Sequence, residues 1–252
     1  MLYYYIIYII AGLLVGSFLN VVIFRLREAE SLVFGSSKCQ KCQTQIKAYD
    51  LVPVISFIIL GGRCRACREK ISIQYPIVEG LTALLFALSY YVYGLSWMSV
   101  LSAFTLSLLL VIVVFDLREL MVPEVLSWLL FGMALIGMIL LNYDKIGSVI
   151  LGGLVSGGVI ALLVFISRGK WMGDGDIKIA LAIGLFLSFP AAIFSVFASF
   201  ISGAVVGTVL IAMKRKSGKD RLPFTPFLLF GLVASMLWGQ RIIDWYLGRF
   251  IL

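Results

Sequence analysis

Histidine does not occur in the 252-residue chain, which removes the Ser-His-Asp and Cys-His nucleophile systems, His-ligated haem, His zinc sites and the commonest general base. Any chemistry must draw on carboxylates, thiolates, Lys or Tyr. Charge is also scarce: 13% of residues are charged against 62% hydrophobic, and the mean hydropathy is +1.06. A water-soluble globular enzyme cannot carry such a surface. Proline is rare, 6 against 24 Gly. The long Leu/Ile/Val/Phe runs exclude intrinsic disorder, because disordered chains lack apolar surface to bury. What remains is an all-α polytopic membrane protein.

Apolar runs near the roughly 20 residues that cross a hydrocarbon core occupy Tyr3 to Phe24, Tyr75 to Tyr93, Trp97 to Phe115, Val125 to Leu141, Ile146 to Ile166, Ile177 to Phe189, Ala191 to Met213 and Phe224 to Gly239. The reading is about eight transmembrane helices. The sixth is short and stops at Pro190, so it is expected to be tilted, half-buried or fused to the seventh through a kink. Leu51 to Leu60 is apolar but too short to span and carries Pro53; it reads as part of a small folded domain or an interfacial segment. Met1 to Ile10 has no basic n-region, so the first span is not read as a removable signal peptide.

Alternating eight spans from an external N-terminus puts 18 of the 21 Lys and Arg residues on one face and leaves Lys145, Arg241 and Arg249 for the other. Positive charge holds loops in the cytoplasm. The formal charge of +8 is thereby explained without a nucleic-acid partner, and the sizeable extramembrane piece is the cytoplasmic loop from about Arg25 to Gln74.

All four cysteines fall in that loop, as Cys39-Gln-Lys-Cys42 and Cys64-Arg-Ala-Cys67. Two such pairs about 20 residues apart form a zinc-ribbon pattern, four thiolates closing a tetrahedron. Gly61 and Gly62 would permit a knuckle's tight turn, and the neighbouring cations offset the thiolates. Two redox pairs or disulfides are the alternative, disfavoured in a reducing compartment. A closed four-ligand site leaves no open position for substrate, so the zinc is structural.

Ionisable residues in or beside membrane helices are costly and therefore functional candidates. Asp116 follows the third span, and Asp174 and Asp176 lie in Gly173-Asp174-Gly175-Asp176-Ile-Lys178 before the sixth. Topology puts both places at the same cytoplasmic depth, which suggests an aspartyl dyad of Asp116 and Asp176, one group protonated and the other activating water. Helix dipoles suggest that Asp176, at a helix start, is the ionised member and Asp116, at a helix end, the protonated one. Gly173 and Gly175 are expected to allow close backbone approach or positive φ. The plainer readings are that Asp116 marks a helix end beside Arg118 and that Asp174 or Asp176 is an N-cap. Glu79, a turn into the second span, could bind a cationic substrate group or pair with a buried Lys. Tyr3, Tyr4, Tyr5, Trp97, Trp171 and Trp245 read as interfacial anchors. The Lys214 to Arg221 run reads as an inside-positive loop, with contact to anionic lipid as an added reading, and Gly152, Gly153, Gly157 and Gly158 as close helix packing.

These residues resemble the bacterial type IV prepilin peptidases, which serve type IV pili, type II secretion and competence pseudopili. The resemblance runs through nearly the whole chain: Gly16-Ser-Phe-Leu-Asn-Val-Val-Ile-Phe-Arg-Leu26, the paired cysteines, Tyr49-Asp-Leu-Val-Pro-Val54, Gly62-Arg-Cys64, Ile71-Ser-Ile-Gln-Tyr-Pro-Ile-Val-Glu79, Asp116 to Pro123, the Gly-x-Gly-Asp element ending at Asp176 with Lys178, and Pro223-Phe-Thr-Pro-Phe227. It implies an aspartyl protease of the bacterial plasma (inner) membrane with Asp116 and Asp176 as its acids. It implies cleavage of prepilin or pseudopilin leaders after Gly at the cytoplasmic membrane edge. It implies also N-methylation of the new terminus from S-adenosylmethionine, associated with the cytoplasmic loop. Lys178 would orient Asp176, stabilise developing charge, or snorkel to headgroups. The expected organisation is a first transmembrane helix over 1–24, a cytoplasmic zinc-binding loop domain over 25–74 and a transmembrane peptidase domain over 75–252. The chain departs from the family pattern at Glu124, where Asp commonly follows the Pro, at Gln40, where Pro is frequent, and at Thr225, where Gly is usual. No Gly-rich nucleotide loop marks a cofactor site.

Two other classes compete. A proton-coupled transporter with a zinc-ribbon accessory domain would use Asp116, Asp176 and Glu79 as a relay, but a relay spreads its acids through the membrane depth, and no inverted repeat is evident. A membrane scaffold with a zinc-ribbon docking domain predicts no activity for either Asp to lose.

Overall fold

The computed structural model describes residues 2–28, 37–141, 145–217 and 220–250. Residues 29–36 of the expected loop and Lys219 of the basic run lie outside the described residues. The elements are α1 (Leu2–Arg27), a 3-10 turn (Ala48–Leu51), α2 (Ile55–Ile59), α3 (Gln74–Tyr93), α4 (Trp97–Glu119), α5 (Glu124–Leu141), α6 (Ile146–Ser167), α7 (Asp174–Leu187), α8 (Ala191–Ala212), α9 (Thr225–Ala234), a π-helical turn (Ser235–Gly239) and α10 (Gln240–Phe250). Helices are the expected outcome for such runs, since a helix satisfies its own backbone where no water can.

Among the described residues, six segments are long and apolar enough to cross a membrane: α1, α3, α4, α6, α8 and the run Thr225–Tyr246 through the π-helical turn. The other two expected spans do form helices, but shorter ones. α5 has 18 residues, Glu124–Leu141, about 27 Å of rise, and α7 has 14, about 21 Å, less than the ~30 Å hydrocarbon core. α7 does not fuse with α8, because Ser188, Phe189 and Pro190 separate them. It tolerates its shortness by being sheathed: α5, α6, α8 and α9 all pack on it, and Ile179, Ala180, Ala182, Ile183, Leu185 and Phe186 are buried.

The chain divides into two compact units, Met1–Ser107 and Leu108–Leu252. In the first, α1 lies directly on α3. A Cβ on Gly12 would sit 2.6 Å from Ala83 Cα, and one on Gly16 2.7 Å from Glu79 Cα, so this Gly-x-x-x-Gly stretch lets the backbones touch. Tyr8, Phe86 and Ala103 form the buried cluster beside it. Hydroxyl pairs, Tyr8 with Ser99 at 2.5 Å and Ser89 with Ser102 at 3.1 Å, add the polar links that apolar surroundings favour.

In the second unit, α6 packs on α7 through small residues. A Cβ on Gly152 would lie 2.6 Å from the Gly184 carbonyl, and Gly153 and Gly157 meet Leu185 and Leu181. Gly158, expected in the same contact, faces outward, where an added Cβ would meet nothing within 4 Å. The interfacial aromatics stand exposed as expected at Tyr3, Trp97, Trp171 and Trp245, whereas Tyr5 packs edge-on against Tyr90 with ring centroids 4.6 Å apart.

Candidate functional site

Asp116 belongs to the last turn of α4, which ends as Leu120 takes a φ of +52°. Asp176 lies three positions after Gly173, the N-cap of α7, whose N–H donates to Asp176 Oδ2 at 3.1 Å. Asp176 therefore closes the helix start from the N3 position, as a capping-box acid does. Both carboxylates are 7% exposed, and Asp116 lies near enough for its charge to act on Asp176. The structure thus brings together, within one unit, the two acids singled out from the sequence. Asp174 is exposed on the other side of the helix start and is neither the N-cap nor in the pair.

The environment of Asp116 differs from the sequence expectation. Oδ2 accepts from the Thr225 N–H at 3.0 Å and from the Thr225 hydroxyl at 2.7 Å. Thr225 is fully buried and begins α9, with Pro226 behind it supplying a fixed φ and no competing donor. Asp116 therefore meets the positive end of α9 as well as the negative end of its own helix, and the dipole asymmetry expected between the two acids is not built. Two donors on Oδ2 leave Oδ1 as the oxygen on which Asp116 can carry a proton. Sequence reasoning missed this residue except as a departure from Gly. The available signal was Thr-Pro opening an apolar helix.

The two glycines ahead of Asp176 have different roles. A Cβ on Gly175 would lie 2.9 Å from Val122 Cβ, so close approach of the α4–α5 connection requires Gly there. Gly173 has an ordinary extended backbone, φ −88° and ψ 160°, and an added Cβ would meet only Asp176 Oδ2 at 4.0 Å. Neither has positive φ. Lys178 reaches Glu124 Oε1 at 3.0 Å and lies 5.2 Å from the Trp128 ring centroid. It ties the start of α7 to the start of α5, while Asp176 is oriented by Gly173.

The first unit holds the cysteine cluster. The four Sγ atoms of Cys39, Cys42, Cys64 and Cys67 lie within 4.8 Å of one another, with Cys39 and Cys67 3.9 Å apart. Each pair sits in the same fold. In the first, Cys39 N–H donates to Thr44 O, Gln43 N–H to Cys39 O, and Lys38 pairs with Gln45. In the second, Cys64 N–H donates to Glu69 O, Arg68 N–H to Cys64 O, and Arg63 pairs with Lys70. The left-handed residue in each is Gln43 and Arg68. Gly61 and Gly62 are left-handed too, but they end α2 as a Schellman motif, with Gly62 N–H on Phe57 O and Gly61 N–H on Ile58 O. The side chain and backbone of Thr44 draw the Cys42 thiol down to about 6, and the Cys67 and Ala66 N–H groups lower Cys64.

The Tyr49 to Val54 segment is fixed to this cluster. Arg65 grips Asp50 with two parallel bonds, Nε to Oδ2 at 3.0 Å and Nη2 to Oδ1 at 2.7 Å, and stacks over Tyr49 at 5.3 Å. The guanidinium holds the Asp50 carboxyl below its ordinary range. Val54 is strained, with φ +62° and ψ −48°, and closes a γ-turn from Ile55 N–H to Pro53 O at 2.6 Å. Glu79, 7% exposed, holds the turn by accepting the Val54 N–H at 2.7 Å. Glu79 thus binds backbone, not the lysine that its cost in a membrane helix suggested.

A polytopic helical protein with two buried, hydrogen-bonded aspartates in one unit and a four-thiol cluster in the other is the class that fold and site define. Residues 10–93 match the family model described as the bacterial peptidase A24 N-terminal domain, and residues 103–208 that of the type IV leader peptidase family. The chain belongs to the type IV leader peptidase family. It is 31% identical to the prepilin leader peptidase/N-methyltransferase of Neisseria gonorrhoeae over 94% of this chain and 93% of that one. To the protein of that name from Stutzerimonas stutzeri it is 30% identical over 95% and 92%, and to that from Legionella pneumophila 29% over 98% and 96%. No solved structure matches it.

Proposed function

We propose that this protein is a leader peptidase and N-methyltransferase of the bacterial inner membrane. It cleaves type IV prepilins or pseudopilins after the leader's Gly at the cytoplasmic membrane edge and methylates the new N-terminus. The observation that carries the reading is the pair Asp116 and Asp176, buried in one unit of a chain of this family. Family membership gives the transporter reading no support.

The residues divide the hydrolysis as follows. One aspartate takes a proton from water as the water oxygen attacks the carbonyl carbon of Gly. The other, protonated, gives its proton to the leaving amine as the tetrahedral intermediate collapses. Thr225 and Gly173 each occupy Oδ2 of one aspartate, so the two Oδ1 atoms are left for water and substrate. Gly175 holds this helix start against Val122. The exposed lipid-facing surface of the long helices gives the substrate's hydrophobic helix a bilayer from which to approach.

Zinc fits the cysteine cluster. A tetrahedron with Zn–S bonds near 2.3 Å has sulfur–sulfur edges of about 3.8 Å, close to the 3.9 Å between Cys39 and Cys67. Cys39, Cys42, Cys64 and Cys67 would hold it, and its contribution is to fold the loop. S-adenosylmethionine is the implied methyl donor and would supply an electrophilic methyl group to the uncharged amine.

The test is incubation of the purified protein with a pilin precursor, with and without S-adenosylmethionine, followed by mass measurement. Loss of the leader in both samples, with 14 Da added only in the second (about one CH₂, as methylation replaces H by CH₃), is the expected result. An intact precursor in both would overturn the reading.

A further inference from the structure

The short helix α2 carries its apolar face outward. Ile55, Ile58 and Ile59 fall at the i, i+3 and i+4 spacing of a single helix face, and they are 55%, 69% and 73% exposed. The other side is the one that packs: Pro53 is buried and Phe57 half-buried, and a Cβ on Gly62 would meet the Phe57 ring at 3.1 Å. Tyr49, Leu51 and Val52 add exposed apolar surface just before the helix. In a loop domain bathed by water such a stripe would be turned inward, so its direction calls for an apolar medium outside.

The height of α2 along α3 identifies that medium. α3 has 20 residues, about 30 Å of rise, which only just covers the ~30 Å hydrocarbon core. The core boundary therefore lies at its first turn. Glu79 stands five positions after Gln74, about 7.5 Å farther in, and its side chain leans back toward the helix start. There it accepts the Val54 N–H at 2.7 Å. Val54 immediately precedes α2, so the strained turn is pinned within about 7.5 Å of the boundary. α2 itself has 5 residues, about 7.5 Å, and the headgroup zone extends roughly 5–7 Å beyond the core on each side. No orientation of so short a helix takes its isoleucines out of the membrane interface. The flanking chain suits that zone: Lys47, Arg63 and Lys70 are exposed, and Lys47 Nζ lies 5.7 Å from the Tyr49 ring centroid, an aromatic and a cation side by side at headgroup level.

We propose that α2 is an interfacial anchor. Ile55, Ile58 and Ile59 insert among the lipid acyl chains where α3 enters the bilayer, and Glu79 acts as a positioning residue that holds them at that depth through Val54. The partner is the bilayer itself. The four-cysteine fold is thereby laid on the membrane surface instead of being carried on a free arm, and a carboxylate that is costly in a membrane helix gains a structural use.

The full-length protein would be made with p-benzoylphenylalanine in place of Ile58, inserted into nanodiscs of phosphatidylethanolamine and phosphatidylglycerol, irradiated, and its adducts identified by mass. Adducts to lipid acyl chains are the expected result. Adducts confined to a second copy of the chain or to added pilin precursor, or no lipid adduct at all, would overturn the proposal. In the same chain Glu79→Leu is expected to lower the lipid adduct about 5-fold and Glu79→Gln, which keeps an acceptor for Val54, to leave it within about twofold; equal adduct in both variants would overturn the tether. Independently, Ile58→Asp combined with Ile59→Asp is expected to speed trypsin cleavage at Arg63 in nanodiscs about 10-fold. An unchanged rate would speak against insertion, because two carboxylates on a water-facing surface cost little. Because the double variant could also fail to fold, the photochemical adduct of the otherwise wild-type chain decides between the outcomes.

Discussion

Thr225 donates to Asp116 twice, through its N–H at 3.0 Å and its hydroxyl at 2.7 Å, both onto Oδ2. The two residues are 109 positions apart, so the start of α9 is built to hold the end of α4. A residue with no side-chain oxygen would keep the first bond and lose the second. Thr225→Val, which conserves shape, is expected to slow prepilin cleavage about 10–100-fold, the worth of one hydrogen bond to a charged group, about 1.5–3 kcal/mol. Thr225→Ser should stay near the wild-type rate. A Val variant as fast as wild type would show the hydroxyl to be idle in catalysis.

The two aspartates and the methylation should separate. Asp116→Asn and Asp176→Asn each remove a proton-transfer group and are expected to lower cleavage by about 10²–10⁴-fold. Given a pilin whose leader has already been removed, both variants should still methylate its N-terminus. If the acids were only helix-end residues, as a cap reading of Asp176 would have it, the Asn variants would cleave normally.

Much of this site could be read from the residues alone, and the parts that could not share a physical cause. Asp116 and Asp176 stood out because a carboxylate costs so much beside an apolar run that few are present, and the cysteine spacing announces its cluster locally. Thr225 did not stand out, since Thr before Pro is an ordinary helix start and its partner lies in a distant helix. Lys178 looked like a neighbour of Asp176, two positions away, yet it pairs with Glu124 across 54 positions; proximity in sequence misjudged the direction of a long side chain. The strain at Val54 is a backbone dihedral, which no residue type reports. The Gly12 and Gly16 spacing was visible, but four glycines in α6 drew the packing argument there, and one of those, Gly158, turns out to face away. The length of α7 reads as a weak span only until the helices around it are known.

The glycines before Asp176 should differ under substitution. A methyl group on Gly175 meets Val122 Cβ at 2.9 Å, whereas one on Gly173 has room. Gly175→Ala is therefore expected to destabilise by about 1–3 kcal/mol through overpacking, seen as a lower melting temperature in detergent. Gly173→Ala should melt within a few degrees of wild type. Similar melting temperatures for the two variants would contradict the packing described for Val122.

Metal content gives the check on the first unit. The purified protein should contain one zinc per chain, and a strong chelator should release it with exposure of the 37–74 segment to trypsin, which has Arg63, Arg65, Arg68 and Lys70 to cut. Replacing any one cysteine with Ser should lower zinc occupancy and give the same proteolysis without chelator, because a three-thiolate site loses both a bond and the closed tetrahedron. Protein that is free of zinc as purified, fully resistant to trypsin in this segment and free of a disulfide would refute the metal assignment.

Lys178 and Glu124 offer a test of whether the link between α7 and α5 acts through charge. Glu124 is largely exposed, its side chain 79% accessible, while Lys178 is 31% accessible and lies over Trp128. Solvent screening then limits the ion pair itself to about 0.2–1 kcal/mol, and the cation–π contact adds about 0.5–1 kcal/mol at such a site. Lys178→Met, which keeps the apolar stem over the ring, should cost no more than about 2 kcal/mol in total, and Glu124→Gln less. A double-mutant cycle on the two, read by thermal unfolding in detergent, is expected to return a coupling below about 1 kcal/mol. A coupling of several kcal/mol would mean that the pair is shielded in the bilayer-embedded protein, and that the start of α7, with Asp176 on it, is held chiefly by this charge contact rather than by the packing of Gly175 on Val122.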